Sequence, residues 1–204
     1  MKERNPVEST VKFYNGNSDS YFDETSDISK FPAVKNALDK LLAYTRRDAL
    51  IGDIGCGSGR DAEYLRKNSR TLVCFDISRN LLTRANRSFS FLDLNAADMR
   101  ALPLKDESLD AVVSCASLVH IPKAEAAPVL RTLNSVLRHG GVLYLSVKEG
   151  DGEAFDERNR YFSYYEENEI IEALKAANFK IFETYRTTDS RGTKWLNVFC
   201  GALK

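Results

Sequence analysis

The amino-acid sequence predicts an α/β fold with a doubly wound, mostly parallel sheet. Five apolar stretches alternate with segments whose apolar residues recur at helical spacing, the pattern of parallel strands joined by crossover helices. The stretch over 109–115 is almost continuously apolar, as expected of a strand buried on both faces. A glycine-rich turn over 53–61 follows the first strand and precedes a helix. Such a turn lets a polar, nucleotide-like ligand approach the backbone closely.

Composition and charge describe an ordinary globular chain. Its 204 residues are 43% hydrophobic and 28% charged, which fits a single domain over residues 1–204 with a substantial core. Lys and Arg together number 29, as do Asp and Glu, so the chain has no overall basic field for gripping a long nucleic acid. A local patch formed by Arg79, Arg84 and Arg87 keeps RNA open as an alternative partner.

Targeting signals and cysteine usage indicate the compartment. No apolar run approaches the ~20 residues of a membrane span, and the polar start over 1–6 is unlike a signal peptide. The four cysteines are widely spaced and form no C-x-x-C pair: Cys56, Cys74, Cys115 and Cys200. We therefore expect reduced thiols, no metal site, no membrane contact and a cytoplasmic location.

The N-terminal half is predicted as follows. Residues 1–29 form a polar arm with four aromatic residues, which either pack onto the body or close as a lid over the glycine turn. A helix is predicted over 31–47, with Pro32 in its first turn. The first half of the sheet then follows as strands over 49–51, 71–76 and 89–96, with a helix over 77–86 before the last of them.

The C-terminal half continues the alternation. Apolar residues at helical spacing over 129–137 predict a helix. It is expected to begin only a residue or two before Pro128 and to end at Gly140–Gly141. A fifth strand over 142–147 and a helix over 170–177 follow. The chain closes with β-rich runs over 179–185 and 195–202, whose polar connection predicts an antiparallel hairpin.

The residues around the glycine turn limit its ligand. A dinucleotide fingerprint needs a small residue where Arg60 stands, and the ending of a phosphate-binding P-loop is absent. Asp76 ends the second strand and can accept both hydroxyls of a ribose, or it can simply begin a helix or a turn. Asp98 and Met99 follow the third strand; they offer an acceptor and an apolar edge to an adenine ring, or form a loop turn.

These residues together resemble the class I S-adenosylmethionine-dependent methyltransferases over nearly the whole chain. Five segments match family motifs in order: the turn Asp53-x-Gly55-x-Gly57-x-Gly59, Asp76, and the stretches 97–103, 110–122 and 137–143. The resemblance implies a Rossmann-like, seven-stranded, mostly parallel sheet with one antiparallel strand in the C-terminal hairpin. It also implies S-adenosylmethionine as cofactor and S-adenosylhomocysteine as product.

The resemblance also assigns cofactor-binding positions. The backbone at Gly55, Cys56 and Gly57 would border the methionine portion, and Asp53 would hold its amino group. Arg60 would pair with the cofactor carboxylate, or be a solvated arginine on the helix surface. The full set is Asp53, Gly55, Cys56, Gly57, Gly59, Arg60, Asp76, Ile77, Asp98, Met99 and Cys115.

The acceptor side is expected at the two ends of the chain. His120 follows the fourth strand, where it would serve as a base or hydrogen-bond partner, or would orient the loop. Residues 148–165 would wall the acceptor pocket, although their tyrosines could instead pack beneath the next helix. The candidate substrate residues are Tyr14, Tyr21, His120, Lys148, Tyr161 and Tyr164.

The sequence thus predicts in-line methyl transfer to a small-molecule acceptor. The Asn/Asp-Pro-Pro-Tyr/Phe signature of amino-methyltransferases is absent from residues 115–118, which argues against methylation of a base in DNA. Two alternatives stay open: an RNA (for example tRNA) nucleoside methyltransferase, and a non-catalytic protein that binds S-adenosylmethionine. A nicotinamide-dependent oxidoreductase is disfavoured by Arg60.

Overall fold

The N-terminal arm is helical in a computed structural model that describes residues 5–68 and 70–204. Residues 1–4 of the predicted arm lie outside the described residues. The rest of the arm contains α1 (Pro6–Gly16) and α2 (Ser18–Thr25). The sequence pattern predicts no helix here, because the segment is polar and interrupted. The Asn5 side chain nevertheless caps α1 by accepting a hydrogen bond from the Glu8 N–H at 3.1 Å.

Alternating strands and helices follow and confirm the predicted α/β class. In chain order they are α3 (Pro32–Tyr44), β1 (Leu50–Ile54), α4 (Arg60–Lys67), β2 (Thr71–Asp76), α5 (Arg79–Ser88), β3 (Leu94–Ala96), β4 (Leu109–Cys115), α6 (Lys123–Val136), β5 (Leu137–Glu149), β6 (Glu153–Phe155), β7 (Tyr161–Tyr165), α7 (Glu167–Ala176), β8 (Phe179–Thr188) and β9 (Lys194–Ala202).

The sheet has the predicted mixed topology. Strands β3, β2, β1, β4 and β5 are parallel neighbours in that order. Strand β9 lies between β5 and β8 and runs antiparallel to both, so the C-terminal hairpin supplies the single reversed strand of this seven-stranded part. The carboxyl ends of β1, β2 and β4 therefore meet at one edge of the sheet, which is where ligands bind in open α/β sheets.

The segment over 148–165 contains two strands that the sequence pattern does not predict. Strands β6 and β7 form a short antiparallel hairpin, and β7 also pairs with the end of β5 through Lys148 opposite Tyr164. Tyr161, Phe162 and Tyr165 are buried. The aromatic stretch thus continues the sheet beyond the end of β4, and Phe162 lines the neighbouring cavity.

The helix after β4 also differs from the prediction. It begins at Lys123, with Pro128 inside it, and ends at Val136. The Pro128 side is exposed, so the proline ring faces solvent. Gly140 and Gly141 lie within β5 instead of ending the helix. A Cβ on Gly141 would stand 2.9 Å from the Arg138 carbonyl oxygen, which explains a glycine beside the register shift between β4 and β5.

Apolar side chains cover both faces of the sheet. Leu130 and Leu133 of α6 pack on one face, and Leu38 and Leu41 of α3 on the other. The two faces bury these side chains completely, so the edge that carries the glycine turn is fixed by a close-packed core. Within the described residues, no helix has the length and apolarity needed to cross a membrane.

Candidate cofactor and acceptor site

The glycine turn folds across the end of β2. The N–H groups of Gly55 and Cys56 donate to the Phe75 carbonyl oxygen at 2.7 and 3.0 Å. Gly55 has φ +81°, and a Cβ there would overlap the Cβ of Ser117. Glycine is therefore required at this position both by backbone conformation and by the close approach of the loop after β4.

Asp76 holds the turn and faces the cavity beside it. Its two carboxylate oxygens accept hydrogen bonds from the N–H groups of Gly57 at 2.9 Å and Ser78 at 2.8 Å. Burial raises the pKa of Asp76, and the backbone hydrogen bonds act against that rise. Each oxygen keeps a further lone pair. The residue thus has the acceptor capacity predicted for binding a ribose.

Arg60 is an internal residue at the start of α4. It pairs with Asp61 through Nε–Oδ1 at 2.6 Å and Nη2–Oδ2 at 3.1 Å, and its guanidinium lies 4.4 Å from the centre of the Phe31 ring. Burial opposes its charge, but Asp61 outweighs that effect and raises the pKa. With a side chain only 15% exposed, Arg60 is not the solvated surface arginine of the alternative interpretation.

Two of the predicted cofactor residues lie behind the cavity wall. Asp53 and Gly59 do not line the cavity, whereas Asp61 does. Asp53 is 1% exposed, and burial raises its pKa well above the usual range. Its Oδ2 has no hydrogen-bond partner within the described part of the chain. The predicted contact between Asp53 and a cofactor amino group stays a prediction, because the Asp53 carboxyl group lies behind the residues that line the cavity.

Asp98 and Met99 line the same cavity, and the Met99 methyl lies 3.6 Å from the position of a Cβ on Gly55. Asp98 accepts a hydrogen bond from the Arg100 N–H at 2.9 Å and pairs with the Arg100 guanidinium at 2.6 Å. Burial would raise the pKa of Asp98, but Arg100 lowers it overall. Met99, Ile77 and Cys115 line the same cavity. The structure therefore brings together the predicted adenine, ribose and turn positions.

His120 joins the N-terminal helix to β7. Its Nδ1 lies 2.7 Å from the Tyr161 carbonyl oxygen and must donate to it, because a carbonyl cannot donate. Its Nε2, 2.9 Å from the Tyr14 hydroxyl, therefore accepts from that group. Burial, together with the charges of Arg160 and Lys148, lowers the pKa of His120 to about 4, although the hydrogen bond to Tyr161 opposes this shift. The imidazole is neutral at pH 7.

The acceptor wall differs in part from the predicted one. Tyr14, Tyr21, His120 and Lys148 line the cavity, whereas Tyr161 and Tyr164 do not. The lining residues that sequence reasoning missed include Arg160, Phe162, Asp189 and Trp195. The alternation of a strand would have found two of them, because Arg160 and Phe162 share one face and Tyr161 lies on the other.

One cavity of about 660 Å³ connects the two groups of residues. It runs from the glycine turn and Asp76 to Lys148 and Trp195. Glu24 of α2 and Arg191 of the β8–β9 connection pair across its rim at 3.5 Å. Among residues 5–68 and 70–204, no cluster of His, Cys, Asp and Glu could hold a metal ion.

Comparison with known proteins identifies the domain. Residues 52–145 match the family model described as a methyltransferase domain. Residues 52–145 therefore form a methyltransferase domain, and its fold is that of the class I enzymes. The cofactor predicted from the glycine turn and the three carboxylates is therefore confirmed as that of the family.

The relatives and solved structures differ in what their names say they act on. Methyltransferase GfsG of Streptomyces halstedii is 32% identical over 137 residues, which cover 62% of this chain and 48% of that protein. The tRNA (carboxymethyluridine(34)-5-O)-methyltransferase ALKBH8 of Mus musculus is 28% identical over 144 residues, covering 67% and 21%. The 1,6-didemethyltoxoflavin-N1-methyltransferase of Burkholderia thailandensis, solved with 1,6-didemethyltoxoflavin and S-adenosylhomocysteine, has a TM-score of 0.77 at 21% identity and covers 100% and 93%.

The reach of these similarities is limited by length and identity. The chain spans about half the length, or less, of the curated relatives it matches. At 21% identity the solved structure is similar in fold. The methyltransferase domain and its cofactor are thus established, and the acceptor has to be argued from this chain's own residues.

Proposed function

We propose that the protein transfers the methyl group of S-adenosylmethionine to a small-molecule acceptor. The observation that carries this proposal is the continuous cavity between the glycine turn and Lys148. Its volume of about 660 Å³ falls within the range of small-molecule sites, roughly 300–1,000 Å³. The proposal includes the predicted single domain over 1–204 and the predicted cytoplasmic location. The free thiols of the four cysteines support the cytoplasmic location.

The cofactor half fits S-adenosylmethionine by its donor and acceptor set. Asp76 would accept the ribose hydroxyls, Asp98 and Met99 would flank the adenine, and the backbone of Gly55–Gly57 would border the methionine portion. Arg60 is held by Asp61, so a cofactor carboxylate would approach a guanidinium that is already oriented. When bound, the sulfonium group supplies a strongly electrophilic methyl.

The remaining residues of the cavity orient the acceptor and exclude water. Tyr14 and Tyr21 of the N-terminal helices stand over the turn, with ring centres 5.0 Å apart. His120, with a pKa of about 4, is a weak base at neutral pH. We therefore assign it a positioning role, in which it fixes the Tyr14 hydroxyl, in preference to proton removal.

An RNA acceptor is the second candidate, favoured by the tRNA-modifying mouse relative. The patch of Arg79, Arg84 and Arg87 is less available to RNA than the sequence indicates. Arg84 is already paired with Asp19 and Asp23 and lies over the Phe22 ring. Arg79 and Arg87 remain exposed on the same helix. An RNA base would also have to enter a cavity partly covered by α1 and α2.

Two measurements test the proposed function. Calorimetry should show micromolar binding of S-adenosylhomocysteine, and its absence would reject the cofactor half and with it both catalytic candidates. Radiolabelled methyl groups should then pass from S-adenosylmethionine into the small-molecule fraction of a cell extract. Transfer into purified RNA alone would favour the second candidate, and binding without transfer to either fraction would favour a non-catalytic protein.

A further inference from the structure

Lys148 occupies an unusual position at the end of β5. Its ammonium nitrogen lies 3.4 Å from the centre of the Phe162 ring, 5.7 Å from that of Tyr164 and 6.0 Å from that of Trp195. No described residue, in 5–68 or 70–204, forms a hydrogen bond or ion pair with it. A cation whose contacts are aromatic rings has lost part of its hydration without gaining an ion pair at contact distance.

A second cation lies against the same ring. The guanidinium of Arg160 is 5.1 Å from the centre of Phe162, and its charge is balanced by Asp156 through Nε–Oδ2 at 2.8 Å and Nη2–Oδ2 at 2.7 Å. Asp189 approaches from the β8–β9 connection, but its Oδ2 accepts the Trp195 indole N–H at 3.1 Å. A neutral indole N–H leaves the charge of Asp189 in place, and that charge acts on Lys148 from a distance. Lys148 is thus the cation of this group that has no contact ion pair among the described residues.

We propose that Lys148, assisted by Arg160, binds a singly charged anionic group of the acceptor, with the apolar body of the acceptor against Phe162 and Trp195. The inference rests on the proposed function, since it names the class of the small molecule as an organic carboxylate. Charge-assisted hydrogen bonds from an ammonium to a carboxylate are stronger than neutral ones, and more so in a partly desolvated cavity. The aromatic rings provide the apolar contact area that such a ligand needs.

Titration adds a signature to this site. Burial, followed by the charge of Arg160, lowers the pKa of Lys148 to about 8, and the weaker effects of Asp156 and Asp189 oppose this shift. Below this pH the ammonium is present and should bind the anion fully. Above it the free protein loses the charge, so carboxylate affinity should fall as the pH rises past about 8.

The test uses Trp195, the single tryptophan of the chain, as an internal reporter. Benzoate, benzamide and phenyl phosphate are titrated into the protein, with and without saturating S-adenosylhomocysteine, by tryptophan fluorescence and calorimetry. Benzoate should bind roughly 10-fold more tightly than its neutral isostere benzamide, the size of one charge-assisted contact. Lys148→Met should remove most of that preference, Lys148→Arg should keep it, and the exposed-site control Lys180→Met should leave it unchanged.

Several results would overturn the inference. They are equal affinities for benzoate and benzamide, a preference that persists in Lys148→Met, or no saturable benzoate binding by either method up to about 10 mM. Phenyl phosphate binding more than about 10-fold better than benzoate would overturn the assignment of a single charge. Failure of S-adenosylhomocysteine to bind counts against the proposed function instead, because the benzoate preference is also measured without it. Urea unfolding of each variant separates a lost contact from a lost fold.

Discussion

The proposed cofactor half and the proposed acceptor half of the cavity are built in different ways. In the cofactor half the backbone forms the site: Gly55 and Cys56 donate to Phe75, and Asp76 ties the turn to the next strand. In the acceptor half side chains from distant elements form it, as when Tyr14 of α1 donates to His120, which donates to the β7 backbone.

This difference separates the part of the cavity that the family model covers from the part that is particular to this chain. A glycine turn tolerates few substitutions, because its glycines are required by a positive φ or by the close approach of another segment. A wall of side chains can be rebuilt at single positions while the sheet beneath it stays the same. The matched family segment, residues 52–145, covers the turn but ends before Lys148 and Phe162. The following predictions test this division, from the largest expected effect to the smallest.

Gly55→Ala should damage the cofactor half most. Its positive φ costs an alanine about 1–2 kcal/mol, and the overlap of the new Cβ with Ser117 adds about 1–3 kcal/mol of overpacking. We expect a loss of about 3 kcal/mol in the free energy of unfolding by urea, together with weakened S-adenosylhomocysteine binding. Gly140→Ala is the matched control, since Gly140 has φ +73° and no atom within 4 Å of its Cβ position. Equal losses in the two variants would mean that the Ser117 contact is unimportant.

His120, in the acceptor half, should make the free energy of unfolding of the protein depend on pH. Its folded pKa of about 4 lies below the unfolded value of about 6.5, so the unfolded chain binds more protons between these values. The His120 contribution to stability therefore rises with pH over that window, by about 2–3 kcal/mol. Asp53 and Asp76, with raised pKa values, act in the opposite direction.

His120→Asn isolates the histidine contribution, because asparagine does not titrate. Urea unfolding of the two proteins at pH 4.5 and 7, values chosen to span that window, gives the difference directly. If the stability gap between wild type and variant is the same at both pH values, the buried, neutral His120 described above is wrong.

Asp76→Ala should weaken S-adenosylhomocysteine binding by about 1–3 kcal/mol, the cost of losing a charged hydrogen-bond acceptor. Calorimetry measures this loss. Asp106→Ala, at an exposed position outside the cavity, serves as the control and should bind as wild type does. Unchanged affinity in Asp76→Ala would remove the ribose assignment and leave Asp76 as a residue that supports the turn through Gly57.

Arg191→Ala should have the smallest effect. The Arg191–Glu24 pair is 3.5 Å long, with side chains 73% and 51% exposed, and such pairs contribute about 0.2–1 kcal/mol at most. We expect a change of less than about 0.5 kcal/mol in urea unfolding. A larger loss would show that the rim of the cavity is tied more firmly than the comparison of the two halves implies.

The sequence by itself determined the strands, helices and glycine turn that frame the proposed cofactor half. The order of strands and helices, the turn with its three glycines, and the positions of Asp76 and Asp98 follow from local spacing. They can be read locally because parallel strands place their carboxyl ends at one edge and because a positive φ selects glycine. Hydrophobic periodicity did not predict α1, β6 and β7, or the first turn of α6 before Pro128. In these segments tertiary packing overrides the local preference of the sequence.

Only the tertiary structure decided the acceptor half. No sequence pattern predicts that Tyr14, His120 and Arg160 lie in one wall of the cavity. They meet because α1 packs against β7. The same packing turns Tyr161 away from the cavity and leaves Phe162 and Lys148 within it. The charge and shape that select an acceptor arise from contacts between residues far apart in sequence, and such contacts leave no periodic pattern to predict them.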